Sequence, residues 1–144
     1  MAFVSVTRLR LRSFRFLPQF VYYTFRSTAQ LRRSPGFLQG WAGNEAPFAF
    51  WTATAWASQE AMRAFRNGSP HLEAMKNLLH WCDEASFAHW EQPQPDLPDP
   101  ATALQRIGSE GKISKVLHPS ARHAAGKTAG TRPPRIGQRI LPGS

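Results

Sequence analysis

Residues 48–56, Phe48-Ala49-Phe50-Trp51-Thr52-Ala53-Thr54-Ala55-Trp56, constrain the fold more than any other stretch. They read as a β-strand that is apolar on both faces. A strand in a sheet with one wet face alternates apolar and polar residues. Here Phe48, Phe50 and Trp56 share one face with Thr52 and Thr54, while Ala49, Trp51, Ala53 and Ala55 share the other. A single layer of helices covers one face only. The other must meet a second sheet, a ligand or both.

The neighbouring pattern supplies the rest of such a sheet. Residues 2–9 alternate and are rich in β-branched side chains, which predicts a first strand. Pro18 suits the first turn of a helix, where its missing N–H is not needed. Leu17, Val21, Thr24, Phe25, Thr28 and Leu31 recur at helical spacing as its inner side, and Ser34-Pro35-Gly36 stops it. A second strand is expected over 37–43, with Asn44-Glu45-Ala46-Pro47 turning the chain back into 48–56. Ser58 caps a helix that ends at Asn67-Gly68. Ser69 and Pro70 read as N-cap and first residue of another helix, buried through Leu72, Met75, Leu78 and Leu79. A fourth strand is expected over 84–92. The order β-α-β-β-α-β is the split βαβ of an α+β, ferredoxin-like fold with an antiparallel sheet. Both helices then lie on one side and the opposite sheet face is bare. A face that size predicts a homodimer.

Composition changes after Gln92. Pro93, Pro95, Pro98 and Pro100 mark residues 93–119 as a linker holding a short helix near 101–110 and an arm. Residues 120–144 are rich in Gly, Ala, Pro and basic residues, with Ile136, Ile140 and Leu141 as their large apolar groups. Such a segment reads as a disordered basic tail. The formal net charge is +9. It favours loose attraction to polyanions, but no zinc-finger spacing, RNA-reading signature or helix-turn-helix accompanies it, so sequence-specific nucleic-acid binding is not expected. No run of apolar residues is long enough to span a membrane. Without a basic lead or a long apolar start, the N-terminus does not read as a secretory signal, and the expectation is a cytoplasmic protein. One cysteine, Cys82, leaves no internal disulfide and reads as a buried thiol. No histidine pair has zinc spacing, and no Gly-rich phosphate loop or nucleophile elbow is present.

The sequence resembles the dimeric α/β-barrel proteins, and within them a branch similar to spheroidene monooxygenases and antibiotic-biosynthesis monooxygenases. The resemblance covers about 90 residues. It is carried by Phe50-Trp51-Thr52-Ala53-Thr54-Ala55-Trp56, Glu60-Ala61-Met62-Arg63-Ala64-Phe65, His71-Leu72-Glu73-Ala74-Met75, Trp81, His89-Trp90-Glu91 and Pro35-Gly36-Phe37. It implies a homodimer whose two bare sheet faces form a barrel, with a cavity beside each sheet. The implied activity is monooxygenation, haem-linked or cofactor-free, of an apolar conjugated small molecule. A non-catalytic homodimer that binds a hydrophobic ligand is the alternative. Haem-degrading members place their iron ligand where this chain has Met75, and an asparagine on a first strand that here offers only Ser5 and Thr7. That activity is therefore not carried over, while the resemblance to spheroidene monooxygenases keeps haem as a candidate cofactor.

Five residues stand out as candidates for a site. His71, at a helix start whose dipole keeps the imidazole neutral, is the candidate general base or iron ligand. His89, on the same strand face as Phe87, can project into a cavity. Trp41 and Trp51 can stack on a planar ligand or serve as dimer core. Met75, one turn on from His71, would be cavity wall or a weak second ligand. Arg8, Arg10, Arg12 and Arg15 are expected on a solvated edge, and Asp83 and Glu84 are expected to diverge at a turn.

Overall fold

The computed structural model describes residues 1–45, 48–130 and 132–143. In chain order it contains β1 (Ala2–Leu11), α1 (Leu17–Arg32), β2 (Phe37–Glu45), β3 (Ala49–Trp56), α2 (Gln59–Asn67), α3 (His71–Trp81) and β4 (Cys82–Gln92). Then follow α4 (Pro100–Glu110), β5 (Lys112–Ile113), α5 (Ala121–Ala124) and β6 (Arg135–Ile140). The strands form one antiparallel sheet in the order β5-β4-β1-β3-β2-β6. Its four central strands have the ferredoxin-like order expected from the sequence, and the fold class is α+β. Ala46 and Pro47 of the expected hairpin turn lie outside the described residues.

The helices α1, α2 and α3 cover one sheet face. Phe3, Leu31, Phe37, Trp56, Met62 and Ile140 pack together under them, and Leu11, Phe20, Trp81, Cys82, Ala85 and Val116 form a second cluster. Ser58 caps α2 as expected, its side-chain oxygen accepting the Ala61 N–H at 3.1 Å. The α3 start differs from expectation. Pro70, not Ser69, occupies the N-cap, and the N–H of His71 donates to Gln30 Oε1 at 3.0 Å. An α1 side chain thus satisfies the helix end that Ser69 was expected to serve.

Helix α1 is also turned from its predicted facing. Phe20 packs on Phe50 with ring centroids 4.6 Å apart, Tyr23 lies 5.7 Å from Trp81, and Gln30 Nε2 donates to the Phe65 carbonyl. These contacts point Val21 and Phe25 outward, leaving them 55% and 76% exposed.

The opposite sheet face is not bare. Val4, Val6, Trp41, Trp51, Ala53 and Ala88 lie beneath Ala103 and Ile107 of α4, and none of these residues is more than 2% exposed. The segment expected to be a linker is therefore a covering layer. Asp99 caps α4 by accepting the Thr102 N–H at 2.7 Å, and the Pro98 carbonyl accepts the Trp41 indole N–H at 2.9 Å. The expectation of an open face for a second sheet is thereby corrected: the chain supplies its own cover.

The expected disorder of 120–144 is corrected too. In this segment α5 is capped by Ser120, β6 pairs with the edge of β2, and Ile140 is buried among the helices. A segment with few apolar residues is ordered here because an existing sheet edge satisfies its backbone groups.

Candidate functional site

Three arrangements carry polar or ligand-binding chemistry. The first is a buried ion cluster on the α4 side. Arg8 lies on β1, between β3 and β4, and is 5% exposed. Its Nε donates to Glu45 at 2.6 Å and its Nη1 to Glu84 at 2.7 Å. Arg10 Nη1 donates to the other Glu84 oxygen at 2.9 Å, and Arg10 Nε lies 3.7 Å from Asp83. Burial opposes the charge on Arg8, but its bonds to Glu45 and Glu84 outweigh that and hold its pKa above the ordinary value. Burial works against Glu84 as well, yet Arg8, Ser120 and Arg10 bring its carboxyl below the usual range. Burial pushes Asp83 up, with Arg10 opposing.

The expected divergence of Asp83 and Glu84 fails because the β1–β4 register slips there. Arg10 pairs with Glu84 and Leu11 with Cys82, which leaves Asp83 as an extra residue. A bulge of that kind re-aims a side chain. Trp51 Nε1 donates to Glu45 at 2.9 Å, and Ser120 Oγ donates to Glu84 at 2.8 Å. The cluster thus anchors the covering segment; Arg8 and Glu84 are enclosed, while the Arg10 side chain stays 37% exposed.

The second arrangement is a histidine–aromatic corner on the helix side. The His71 ring lies 4.5 Å from that of Phe65, and its Nδ1 is 3.3 Å from the Arg66 carbonyl. Burial lowers its pKa, and the nearby Arg66 charge adds to this. Dipole placement predicted a neutral imidazole; burial is the main cause found. His89 packs between Phe3 and Phe87 at 5.4 and 4.9 Å. Burial, then the charges of Arg66, Lys112 and Arg63, lower its pKa to about 4. Both rings are therefore neutral proton acceptors at neutral pH, and both sense Arg66.

The five candidates do not converge. His71 and His89 occupy the helix side, whereas Trp41 and Trp51 are buried on the opposite face under α4. Met75 faces outward and is 38% exposed. Cys82 is fully buried, and burial pushes its thiol up to about 12, which leaves it inert as expected.

The third arrangement is a groove of about 490 Å³ that sequence reasoning missed. It is lined by Phe20, Val21, Thr24, Phe25, Thr28, Ala29 and Arg32 of α1, with Phe50 of β3 and Gln138 of β6. On the helix-facing side β2 presents Gly40 and Ala42 opposite Thr54 and Thr52, so the sheet beneath α1 has little bulk there. Gln138 pairs opposite Ala42 and extends that floor. The sequence signal was Val21 and Phe25, apolar residues read as core. A smaller groove of about 190 Å³ lies at the start of β1, between Met1, Phe3, Ser58, Glu60 and Glu91.

Haem fits neither groove, because their linings contain no histidine or cysteine to hold iron; Met1 in the smaller groove lies beside two carboxylates. Among the described residues, no group of three or more His, Cys, Asp or Glu side chains is arranged to hold a metal ion. No helix among them is long and apolar enough to cross a membrane.

The same fold occurs in solved structures, two of which carry oxygenase names. SnoaB, a cofactor-independent oxygenase from Streptomyces nogalater, is 17% identical and superposes with a TM-score of 0.53 over 65% of this chain and 94% of its own. A Nitrosomonas europaea protein named as an antibiotic biosynthesis monooxygenase is 16% identical, with a TM-score of 0.58 over 65% and 92%. A conserved protein of Methanosarcina mazei Go1 is 11% identical, with a TM-score of 0.58 over 65% and 94%. No protein-family profile matches the chain, and no curated protein does.

Proposed function

We propose that this protein binds an apolar conjugated small molecule in the groove between α1 and the sheet, on a monooxygenase-like fold. The groove carries the proposal. Its wall joins Phe20, Phe25 and Phe50 to the polar groups of Thr24, Thr28, Gln138 and Arg32. An apolar cleft of several hundred Å³ with a few placed polar groups is the usual form of a small-molecule site. The test uses N-phenyl-1-naphthylamine, a neutral aromatic dye whose emission rises in an apolar site. Saturable binding is expected, and Thr28→Trp should abolish it by filling the groove while leaving the circular dichroism unchanged. Dye binding untouched by Thr28→Trp would place the apolar site elsewhere.

The neutral imidazoles favour a second reading, a cofactor-free oxygenase working at the histidine corner. Oxygenation of an activated methylene by O2 yields a carbonyl and water, and it starts with loss of a proton from carbon. If Nδ1–H of His71 donates to the Arg66 carbonyl, Nε2 is left as the acceptor. In this reading His71 is the base and His89 a neighbouring wall, while Trp41, Trp51 and Met75 take no part. Oxygen uptake with anthrone, whose ring methylene is activated by the carbonyl opposite, tests it, with anthraquinone as the product. His71→Ala should cost roughly 10²–10⁴-fold in rate if the ring is a base. A lowered melting temperature with unchanged uptake would make His71 a packing residue.

A further inference from the structure

The charge of this chain is segregated along the sequence, and the fold brings parts of its two acid-free segments together at α1, β2 and β6. All nine acidic residues lie within 45–110; residues 1–44 and 111–144 each contain seven basic residues and no acidic one. The two acid-free segments meet in space. Strand β6 pairs with β2, and the Gly143 N–H donates to the Arg32 carbonyl at 3.0 Å, which fastens the chain's end to the end of α1.

This side also exposes large apolar groups. Val21 and Tyr22 are each 55% exposed, Phe25 76%, Phe14 71% and Leu141 58%. Arginines stand among them. The Arg26 guanidinium lies 5.6 Å from the Tyr22 ring, Arg32 lines the groove, and Arg135 pairs opposite Asn44 on β6. Among the described residues, none of these three arginines takes part in an ion pair. The buried Arg8 cluster shows that the fold neutralises arginine where it is enclosed; here it leaves the charge to solvent.

We propose that this side, built on α1 and β6, docks on an anionic lipid surface with α1 lying in the interface plane. Charge complementarity selects the partner's sign, and the exposed apolar strip selects a bilayer. Val21, Phe25 and Leu141 enter the boundary between headgroups and acyl chains while the arginines meet phosphates. A polyanion such as RNA explains the arginines but gives no role to aliphatic Val21 and Leu141, which offer no ring for base stacking. At about 24 Å, α1 is long enough to lie along the surface and too short to cross it. Val21 and Phe25 also line the groove, although docking does not depend on what the groove holds.

The experiment is co-sedimentation of the full chain with phosphatidylcholine vesicles, with and without one third phosphatidylglycerol. Binding is expected to the anionic vesicles only, and to weaken in high salt as screening shortens. Replacing Arg26, Arg32 or Arg135 by Gln should each weaken it about fivefold. The double change Val21→Ser with Phe25→Ser should weaken it at least as much, with an unchanged melting temperature because both side chains are exposed. Lys76→Gln, on α3, should leave binding unaltered. Absence of binding to anionic vesicles overturns the proposal. So does binding that the Val21/Phe25 change leaves intact and that polyuridylic acid displaces, since that marks attraction to polyanions alone.

Discussion

Arg8 sits on a central strand, so its guanidinium is neutralised by carboxylates from strands on either side, Glu45 of β2 and Glu84 of β4. The expectation of a solvated edge for Arg8 fails because β1 lies inside the sheet and the face that carries Arg8 is enclosed. Removing one partner of a buried ion cluster leaves the others unpaired in a poor solvent. Arg8→Ala should therefore cost about 3–5 kcal/mol of stability, read from urea unfolding. His89 carries a second residue-scale consequence. Its pKa is about 4 when folded, against an ordinary value near 6.5. The unfolded chain takes up this proton first as pH falls. The stability that His89 supports is therefore full above about pH 6.5, declines below it, and is gone near the folded value. His71 is shifted in the same direction. The melting temperature should fall between pH 7 and 4.5, and His89→Gln should make that fall shallower. An unchanged pH slope in the variant would show that other groups govern it.

At the scale of elements, α1 and α4 show opposite relations between sequence pattern and role. In α1 the apolar positions fit two faces, and the spacing selected one containing Val21 and Phe25. Packing of Phe20 on Phe50 and of Tyr23 near Trp81, together with the Gln30 hydrogen bonds, selects the other. The displaced apolar residues become the groove's rim and the exposed strip. For α4 the short helix was legible from its composition, but its partner was not. Ile107 has no exposed surface and packs against the sheet face that includes Trp41 and Trp51. Ile107→Ala should cost about 2–5 kcal/mol by leaving a cavity there. A loss below 0.5 kcal/mol in urea unfolding would show that the covering layer contributes little. Strand β6 is the third case, since its pairing depends on the free edge of β2 and not on its own β-propensity.

For the whole molecule, the main structural decision is how the second sheet face is covered. The chain uses residues beyond Gln92, a covering layer pinned by Trp41 to Pro98, Ser120 to Glu84 and Ser86 to Thr128. Truncation after Gln92 would expose Val4, Val6, Trp41, Trp51 and Ala53 together. The expected outcome is self-association, seen as an increased mass in light scattering and strong binding of a hydrophobic dye. A truncated chain that stays monomeric and soluble would show that the face tolerates water. Truncation after Pro119 should also destabilise the protein, because Ile140 and Ser120 both pack onto the body.

The sequence by itself determined the four central strands, the order β-α-β-β-α-β and the fact that one sheet must be covered on both faces. These follow from local periodicity and from the caps and turns that end each element, which are properties of neighbouring residues. It also marked His71 as a neutral ring and Cys82 as buried; the neutral state of His89 came from its burial in the fold. Only the tertiary structure decided what covers the second face, which side of α1 turns inward, and that His71 and Trp51 lie on opposite sides of the sheet. Those outcomes depend on contacts between residues far apart in sequence. Arg8 meets Glu84, Trp41 meets Pro98 and Gly143 meets Arg32 because the sheet sets their spacing.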